Sequence, residues 1–373
     1  MLRNMLVVAV LGFWANSAQA AEITRALEPI YERPGGTSMD EDKLLKVHFI
    51  DVGGGDAILI DTPTDKKILI DGGFTWKERI DAKKEYDAYL DEFLGDDVID
   101  LIVISHPDYD HFGALSDVLK NYVVQQVWAS GYDSDDLSGS WRDLDEQLRN
   151  DNDTLYLSPL GSYFGLGSSF RFDDADTYDQ SDDTVLTLIN TQQWIPKQAY
   201  GNSGRRLSES QQRNSASVVL RLDYGKTSFL FTGDVNGREK YSPKDSHDDQ
   251  EKFMVDNNNN PNNVLHGLLD VDVLKVAHHG SDGSSSLKFL KAAKPEWAVI
   301  TAGFPHGHPH QGVLDRLKSS EVGLDGMHIL RTDDGDDDHA NSANEENLGD
   351  DTYVFTLDPA GIVRIEKWNI KVQ

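Results

Sequence analysis

The chain has 373 residues, no cysteine and a formal net charge of −29. Without disulfides it is held by its core, and any metal site must be built from His, Asp and Glu. Such acidity argues against tight, non-specific binding to long nucleic acid, which needs a basic surface. It does not exclude a phosphodiester substrate, because bound metal ions outweigh the global field locally.

The N-terminal MLRNMLVVAVLGFWANSAQA combines Arg3, an apolar stretch from Met5 to Trp14 and the small-x-small triplet Ala18-Gln19-Ala20. This is the pattern of a secretory signal peptide over residues 1–20. The mature protein is expected to begin near Ala21 and to be periplasmic or secreted, with an uncleaved N-terminal anchor as the alternative. The apolar stretch is short for a bilayer span, and no later segment is long and apolar enough, so the mature protein is expected to have no membrane span. Loss of Arg3 leaves the mature net charge at about −30, which favours solubility and repels polyanions at long range.

Residues 21–43 are polar with Pro and Gly and read as an N-terminal arm. A single domain is expected over 44–373, with insertions near 123–210, 241–263 and 333–351. Short β-branched runs at 46–50, 56–61 and 67–71, punctuated by Gly-rich and Pro/Thr/Asp turns, make a β-meander. EYDAYLDEFL (85–94) has helical apolar spacing, and VIDLIVIS (98–105) suits a strand buried on both faces. Leu115, Val118, Leu119 and Tyr122 predict a helix over 112–122. DDADTYDQSDD (173–183) reads as an acidic loop, GNSGRRLSESQQRN (201–214) as a polar loop, and the segment ending in DNNNNPNN as a low-complexity insertion. SVVLRLDYGKTSFLFTGD begins a second meander. VDVLKVAHHGS and EWAVITAG supply further strands, 311–318 a helix, and TYVFTLDPAGIVRIEKW a closing hairpin. Two meander-plus-helix halves around one core imply an α+β domain.

The chemistry concentrates at strand ends. SHPDYDH places His106, Asp108, Asp110 and His111 within six positions of a strand-to-helix loop. Taken alone, these residues could equally cap a helix or form a turn. A compact turn would point His106 and Asp108 one way and Asp110 and His111 to an adjacent centre. Two divalent ions about 3.5–4 Å apart need such a divided set. FLFTGD ends in Asp234, whose carboxylate could bridge two ions. LKVAHHGS ends in His278 and His279, of which one can ligate while the other meets substrate or orients its neighbour. The Gly-rich DVGGGDA lacks a following Lys-Ser/Thr and leads into a strand, which rules out a phosphate loop. GSDGSSS (280–286) contains no G-x-S-x-G elbow, and DDGDDD lacks the spaced ligands of a calcium loop.

FIDVGGGDAILIDTP…KKILIDGG, ISHPDYDHFGAL, NSASVVLRL…FLFTGD, VLKVAHHGS and TAGFPHGHPHQGVLDRL occur in this order over roughly residues 45–320. The set resembles the metallo-β-lactamase-fold hydrolases, specifically the branch that includes the C-terminal domain of the competence protein ComEC. The resemblance implies a four-layer αββα sandwich, here with acidic loop insertions, and a dinuclear centre, most often zinc. It implies metal ligation by His106, Asp108, Asp110, His111, Asp234 and one of His278 and His279. Of these two, His278 is taken as the ligand, and His279, His308 and Asp110 as catalytic. Asp71, ending ILIDGG, matches the family's structural Asp. In PHGHPH, His308 is expected to face substrate, while His306 and His310 could equally belong to an exposed surface loop. Asp108 stands where the superfamily's commoner motif has a second His, and this harder set makes Mn or Fe plausible. The usual third His of the first ion has no clear match. Asn214 is nearest and is expected to contact substrate. Gly54 stands where relatives often have Gln.

The expected activity is exported, metal-dependent hydrolysis. Two ions would share Asp234 and a bridging hydroxide, act on small or nucleic-acid phosphodiesters, and receive help at the leaving group from His279 or His308. A lactonase or β-lactamase acting on a cyclic ester or amide is the enzyme alternative, and a non-catalytic binding module on this fold the other. The acidic charge predicts no stable nucleic-acid complex.

Overall fold

A computed structural model describes residues 21–25, 29–34, 40–73, 80–95, 98–133, 137–172, 182–191, 208–237, 250–303, 307–333 and 351–372. Residues 1–20, where a signal peptide is expected, most of the stretches 173–183 and 333–351, residues 241–249 and His306 lie outside them.

The first half contributes β1 (Ala21–Arg25), β2 (Tyr31–Glu32), β3 (Leu45–Phe49), β4 (Ile58–Asp61), β5 (Lys67–Ile70), α1 (Ile80–Leu94), β6 (Ile99–Ile104), α2 (Tyr109–Phe112), α3 (Leu115–Asn121), β7 (Gln126–Ala129), α4 (Gly139–Asn150) and β8 (Leu155–Leu157). The second contributes β9 (Ser169–Arg171), β10 (Thr184–Asn190), α5 (Glu209–Ser215), β11 (Val219–Tyr224), β12 (Thr227–Phe231), α6 (Gln250–Asn258), β13 (Val273–Lys275), α7 (Leu287–Ala293), β14 (Trp297–Ile300), α8 (Gln311–Leu317) and β15 (Ile329–Arg331). The chain then returns to the first sheet with β16 (Thr352–Asp358) and β17 (Gly361–Val372). One sheet runs β1-β17-β16-β3-β4-β5-β6-β7-β8, with β2 also on β17, and the other β15-β14-β13-β12-β11-β10-β9.

Alternation along the strands sets the layers. In β6, Leu101 and Val103 face Phe229, Phe231 and Val299 of the other sheet, while Ile102 and Ile104 face helices through Tyr89, Val118 and Trp141. A strand covered on both sides reads as a continuous apolar run, as VIDLIVIS does. The second sheet repeats the arrangement, with Leu230, Leu274 and Ile300 packed outward on Met254, Phe289, Leu290 and Val313. Three apolar layers thus separate helix, sheet, sheet and helix, an α+β sandwich. Each fully buried Leu, Ile or Phe contributes about 1.5–3 kcal/mol.

Within each sheet a mixed order brings strand ends together. β5, β6 and β7 are parallel, as are β12, β13, β14 and β15. The carboxyl ends of parallel strands are where open sheets build their sites. Asp71, His106, Asp234, the His278–His279 pair and Thr301 all follow such ends.

Three segments differ from expectation. The helix expected over 112–122 is broken into α2 and α3. Gly113 N donates to Gly73 O (3.0 Å) as well as to Tyr109 O (2.8 Å), tying the break to the Asp71-Gly72-Gly73 turn. In the expected polar loop, the described residues 209–214 are helical, capped by Ser208, whose hydroxyl and Gln211 form a reciprocal capping box. The Asn-rich segment is ordered as the end of α6 and a turn. Met254 enters the outer core, and Asn258 accepts from Leu269 N (3.0 Å) while Asn263 accepts from Leu265 N (2.9 Å). Asn side chains satisfy turn backbone readily, so low complexity here does not mean looseness. The arm at 21–43 supplies β1 and β2 to the β17 edge, and Arg33 grips Asp358 with two 2.8 Å bonds. Among the described residues no helix is long and apolar enough to cross a membrane.

Candidate metal centre

The loop after β6 enters the interior rather than turning outward. His106 and His111 are fully buried. Asp108 occupies the N-cap position of α2, yet its side chain makes no capping bond. Its Oδ1 instead accepts from Arg213 Nε at 2.5 Å, and Oδ2 lies 3.6 Å from His106 Nε2. The capping explanation of this residue therefore fails. Backbone bonds tie the loop to its neighbours: Asp56 N donates to Asp110 O (3.2 Å) and Gly72 N to His111 O (2.6 Å).

Asp71 orders the imidazoles. It accepts from Ser105 N (2.7 Å) and Ser105 Oγ (2.6 Å), and its Oδ2 is 2.8 Å from His111 Nδ1. Ser105 has one hydroxyl proton, which goes to Asp71, so the same oxygen accepts from His106 Nδ1 at 3.0 Å. His279 Nδ1 donates to Thr301 O at 2.7 Å. In neutral His106, His111 and His279 the Nδ1 proton is thereby committed, and each Nε2 presents a lone pair.

Those lone pairs converge. His111 Nε2 is 3.4 Å from Asp234 Oδ1 and 3.8 Å from Asp110 Oδ2. His279 Nε2 is 3.4 Å from Asp110 Oδ2 and 3.5 Å from Asp234 Oδ2. Asp110, His111, Asp234 and His279 each offer one ligand atom, all within 4.8 Å of one another. On the other side of Asp234, its Oδ2 lies 4.0 Å from His106 Nε2 and 3.7 Å from His278 Nε2. His106 Nε2, His111 Nε2, His279 Nε2 and Asp234 Oδ1 are buried and lack a hydrogen-bond partner. Buried polar atoms are normally paired. Four left open around one point, on imidazole and carboxylate donors, fit divalent-cation coordination.

Backbone strain accompanies the geometry. His278 (φ 52°) and His279 (φ 53°) are consecutive left-handed residues, which aims both rings at Asp234 Oδ2. This conformation costs roughly 1–2 kcal/mol per non-glycine residue, and such strain gathers at functional sites.

The electrostatics follow from carboxylates facing imidazoles in a dry interior. Burial opposes charge on His111, but Asp234, Asp71 and Asp110 hold its pKa well above the usual value. Burial likewise opposes charge on His279, yet Asp234 and Asp110 lift it to about 10. Burial would raise Asp110 and Asp234, but the facing histidines hold both below the ordinary carboxylate range. Burial, and then His279, His278 and His310, lower His308 to about 2.

Residues 50–303 match the family model of the metallo-β-lactamase superfamily. The chain belongs to this superfamily. Its curated relatives are competence proteins of the ComEC type. ComE operon protein 3 of Bacillus subtilis is 26% identical over 77% of this chain, and Recombination protein 2 of Haemophilus influenzae 26% identical over 73%. The alignments cover 32% and 26% of those proteins' own lengths. Among solved structures, the metallo-β-lactamase fold protein YhfI from Bacillus subtilis matches at 13% identity and a TM-score of 0.40, covering 77% of this chain and 95% of that one. Members of the superfamily are usually metal-dependent hydrolases, and the fold with these ligand groups implies a divalent metal.

The sequence-predicted residues divide as follows. Asp110, His111 and Asp234 meet in one quartet of candidate ligands. Its fourth member is His279 rather than His278, which stands across Asp234 with its side chain 27% exposed. His106 and Asp108 lie beside the quartet and outside it. Asn214 is buried at the end of α5. In the amide orientation that satisfies its neighbours, it donates to Asp108 Oδ2 (3.2 Å) and Ser210 O (2.8 Å). His308 lines the rim, its ring 5.6 Å from His278 and 6.3 Å from His279. His310 Nδ1 instead accepts from Asp282 N at 3.0 Å.

Sequence reasoning missed Asp56, Ser105, Arg213, Lys275 and Thr301. Lys275 had a signal, a charge inside the apolar run VDVLKVA. Its side chain is fully buried, with Nζ 2.5 Å from Asp56 Oδ2.

Proposed function

We propose that this protein is an exported phosphodiesterase with a dinuclear metal centre. The observation that carries the reading is the set of buried, unpartnered Nε2 and carboxylate atoms around Asp234. Asp110, His111, Asp234 and His279 would hold one ion. His106, Asp108 and Asp234 would hold the other, with His278 as a further donor in place of the superfamily's missing histidine. When bound, divalent ions supply Lewis-acid activation and bring the acidity of water into the neutral range. Zinc suits the four imidazoles, while Asp108 in place of a histidine widens the choice to manganese or iron.

The chain's own residues do the rest. Asp71, Ser105 and Thr301 fix the rings. Arg213 and Asn214 hold Asp108. His308, whose ring lies 5.6 Å from His278 and 6.3 Å from His279, would meet substrate oxygen at the rim. Similarity to competence proteins supports a phosphodiester substrate. The net charge of −29 favours small phosphodiesters, or short single strands, over long duplexes. The signal-like N-terminus supports export.

The purified mature protein should contain tightly bound metal and hydrolyse bis-p-nitrophenyl phosphate or single-stranded DNA, and chelator should abolish the activity. Nitrocefin, a lactone and Asp110→Ala complete the comparison. Absence of bound metal, or activity untouched by Asp110→Ala, would overturn the proposal. Turnover of nitrocefin or the lactone alone would replace the substrate class, and metal without any turnover would favour a binding module.

A further inference from the structure

Asp56 follows the glycine-rich stretch between β3 and β4, and Lys275 is the last residue of β13, so the two belong to opposite sheets. Both are buried. Lys275 Nζ lies 2.5 Å from Asp56 Oδ2, donates to Gly233 O at 3.1 Å and reaches Asp234 Oδ1 at 3.8 Å. Asp56 accepts from Thr301 Oγ1 at 2.5 Å, and its carboxylate stands 3.7 Å from His111 Nδ1 and 3.5 Å from His279 Nδ1. Its backbone N–H donates to Asp110 O. The pair therefore touches every member of the Asp110–His111–Asp234–His279 quartet. It meets the histidines from behind, Asp110 through the backbone, and Asp234 at the oxygen facing away from His278 and His106.

We infer that Asp56 and Lys275 form a positioning unit that locks the two sheets in register beneath the metal centre and fixes the orientation of the Asp234 carboxylate. The inference rests on the metal-dependent reading above and concerns residues that would coordinate nothing themselves. Lys275 draws Asp234 Oδ1 towards the floor, which leaves Oδ2 to the rings of His106, His278 and His279. Asp56 balances that ammonium and backs both quartet imidazoles. A buried lysine needs such a partner, because an unpaired ammonium in a dry interior is strongly disfavoured.

The test uses the mature full-length protein, freed of metal and reloaded with Co²⁺. The double variant D56N/K275M removes both charges at similar volume, so no lone buried charge remains. It should keep the wild-type far-ultraviolet circular dichroism, bind Co²⁺ about 10–100-fold more weakly and show altered visible d–d bands. Wild-type affinity and bands in that variant would overturn the positioning unit. Should the double variant not fold, K275R carries the test, since it keeps the charge and changes the reach. Altered d–d bands uphold the unit, and unaltered bands overturn it. Wild-type protein that binds no Co²⁺ would overturn the metal reading itself, a result distinct from either variant outcome.

Discussion

Asp71 Oδ2 lies 2.8 Å from His111 Nδ1 and 2.6 Å from Ser105 Oγ, so one buried carboxylate sets His111 directly and His106 through a serine. Asp71 itself has φ 59°, a left-handed conformation that turns its side chain back under the SHPDYDH loop. Replacing it with Asn keeps the shape but substitutes an N–H donor for one acceptor, leaving either His111 or Ser105 facing a donor. Asp71→Asn should weaken metal binding about 10–100-fold. Ser105→Ala should have a smaller effect, because His111 keeps its own bond. Metal competition titrations on both variants check the order, and equal affinities would refute it.

The two adjacent histidines should behave differently. His279 belongs to the quartet, and its Nδ1 is held by Thr301 O. His278 is part-exposed across Asp234. If the proposed centre holds two ions, His279→Ala should lose the ion of the quartet, whereas His278→Ala should retain it and lose the other. Metal analysis after gel filtration separates these outcomes, and loss of the same ion in both would show that the quartet is misassigned.

Much of this site was legible because ligand chemistry favours few residue types at strand ends. SHPDYDH, Asp234 and the paired histidines stand out by type and position alone. What sequence could not supply was which ring faces which carboxylate. That depends on the left-handed backbone at His278 and His279, and adjacent residues in such a turn cannot be ranked by spacing. Asp56 and Lys275 were hidden for another reason: their partnership spans 219 positions and exists only once the sheets pack. The Ser208–Gln211 capping box, by contrast, was local and readable, and the surrounding polar composition masked it.

Gly55 permits the close approach of two loops. A Cβ there would collide with Asp110 O, the carbonyl that accepts from Asp56 N. Neither backbone can yield without moving the quartet. Gly55→Ala should destabilise the protein by about 1–3 kcal/mol, as overpacking does, and cut metal affinity at least as sharply. Thermal denaturation with and without added metal is the measurement. A variant equally stabilised by metal as wild type would show that the loop shifts without disturbing Asp110.

Protonation should oppose metal binding across the neutral range. In the metal-free protein, Asp234 and its neighbours raise His111 well above its usual value and His279 to about 10. An unfolded histidine titrates near about 6.5. A group whose folded pKa is raised adds stability that is fully present below the unfolded value and is lost as pH rises through the folded one. The chelated protein should therefore lose thermal stability between about pH 6.5 and 10. Depressed Asp110 and Asp234 act oppositely, adding stability above about pH 4 that disappears in acid. Metal binding displaces the histidine protons, so affinity should rise about tenfold per pH unit for each proton released. Calorimetry in buffers of different ionisation enthalpy counts those protons. Binding that releases none between pH 6.5 and 9 would mean that His111 and His279 are not the ligands.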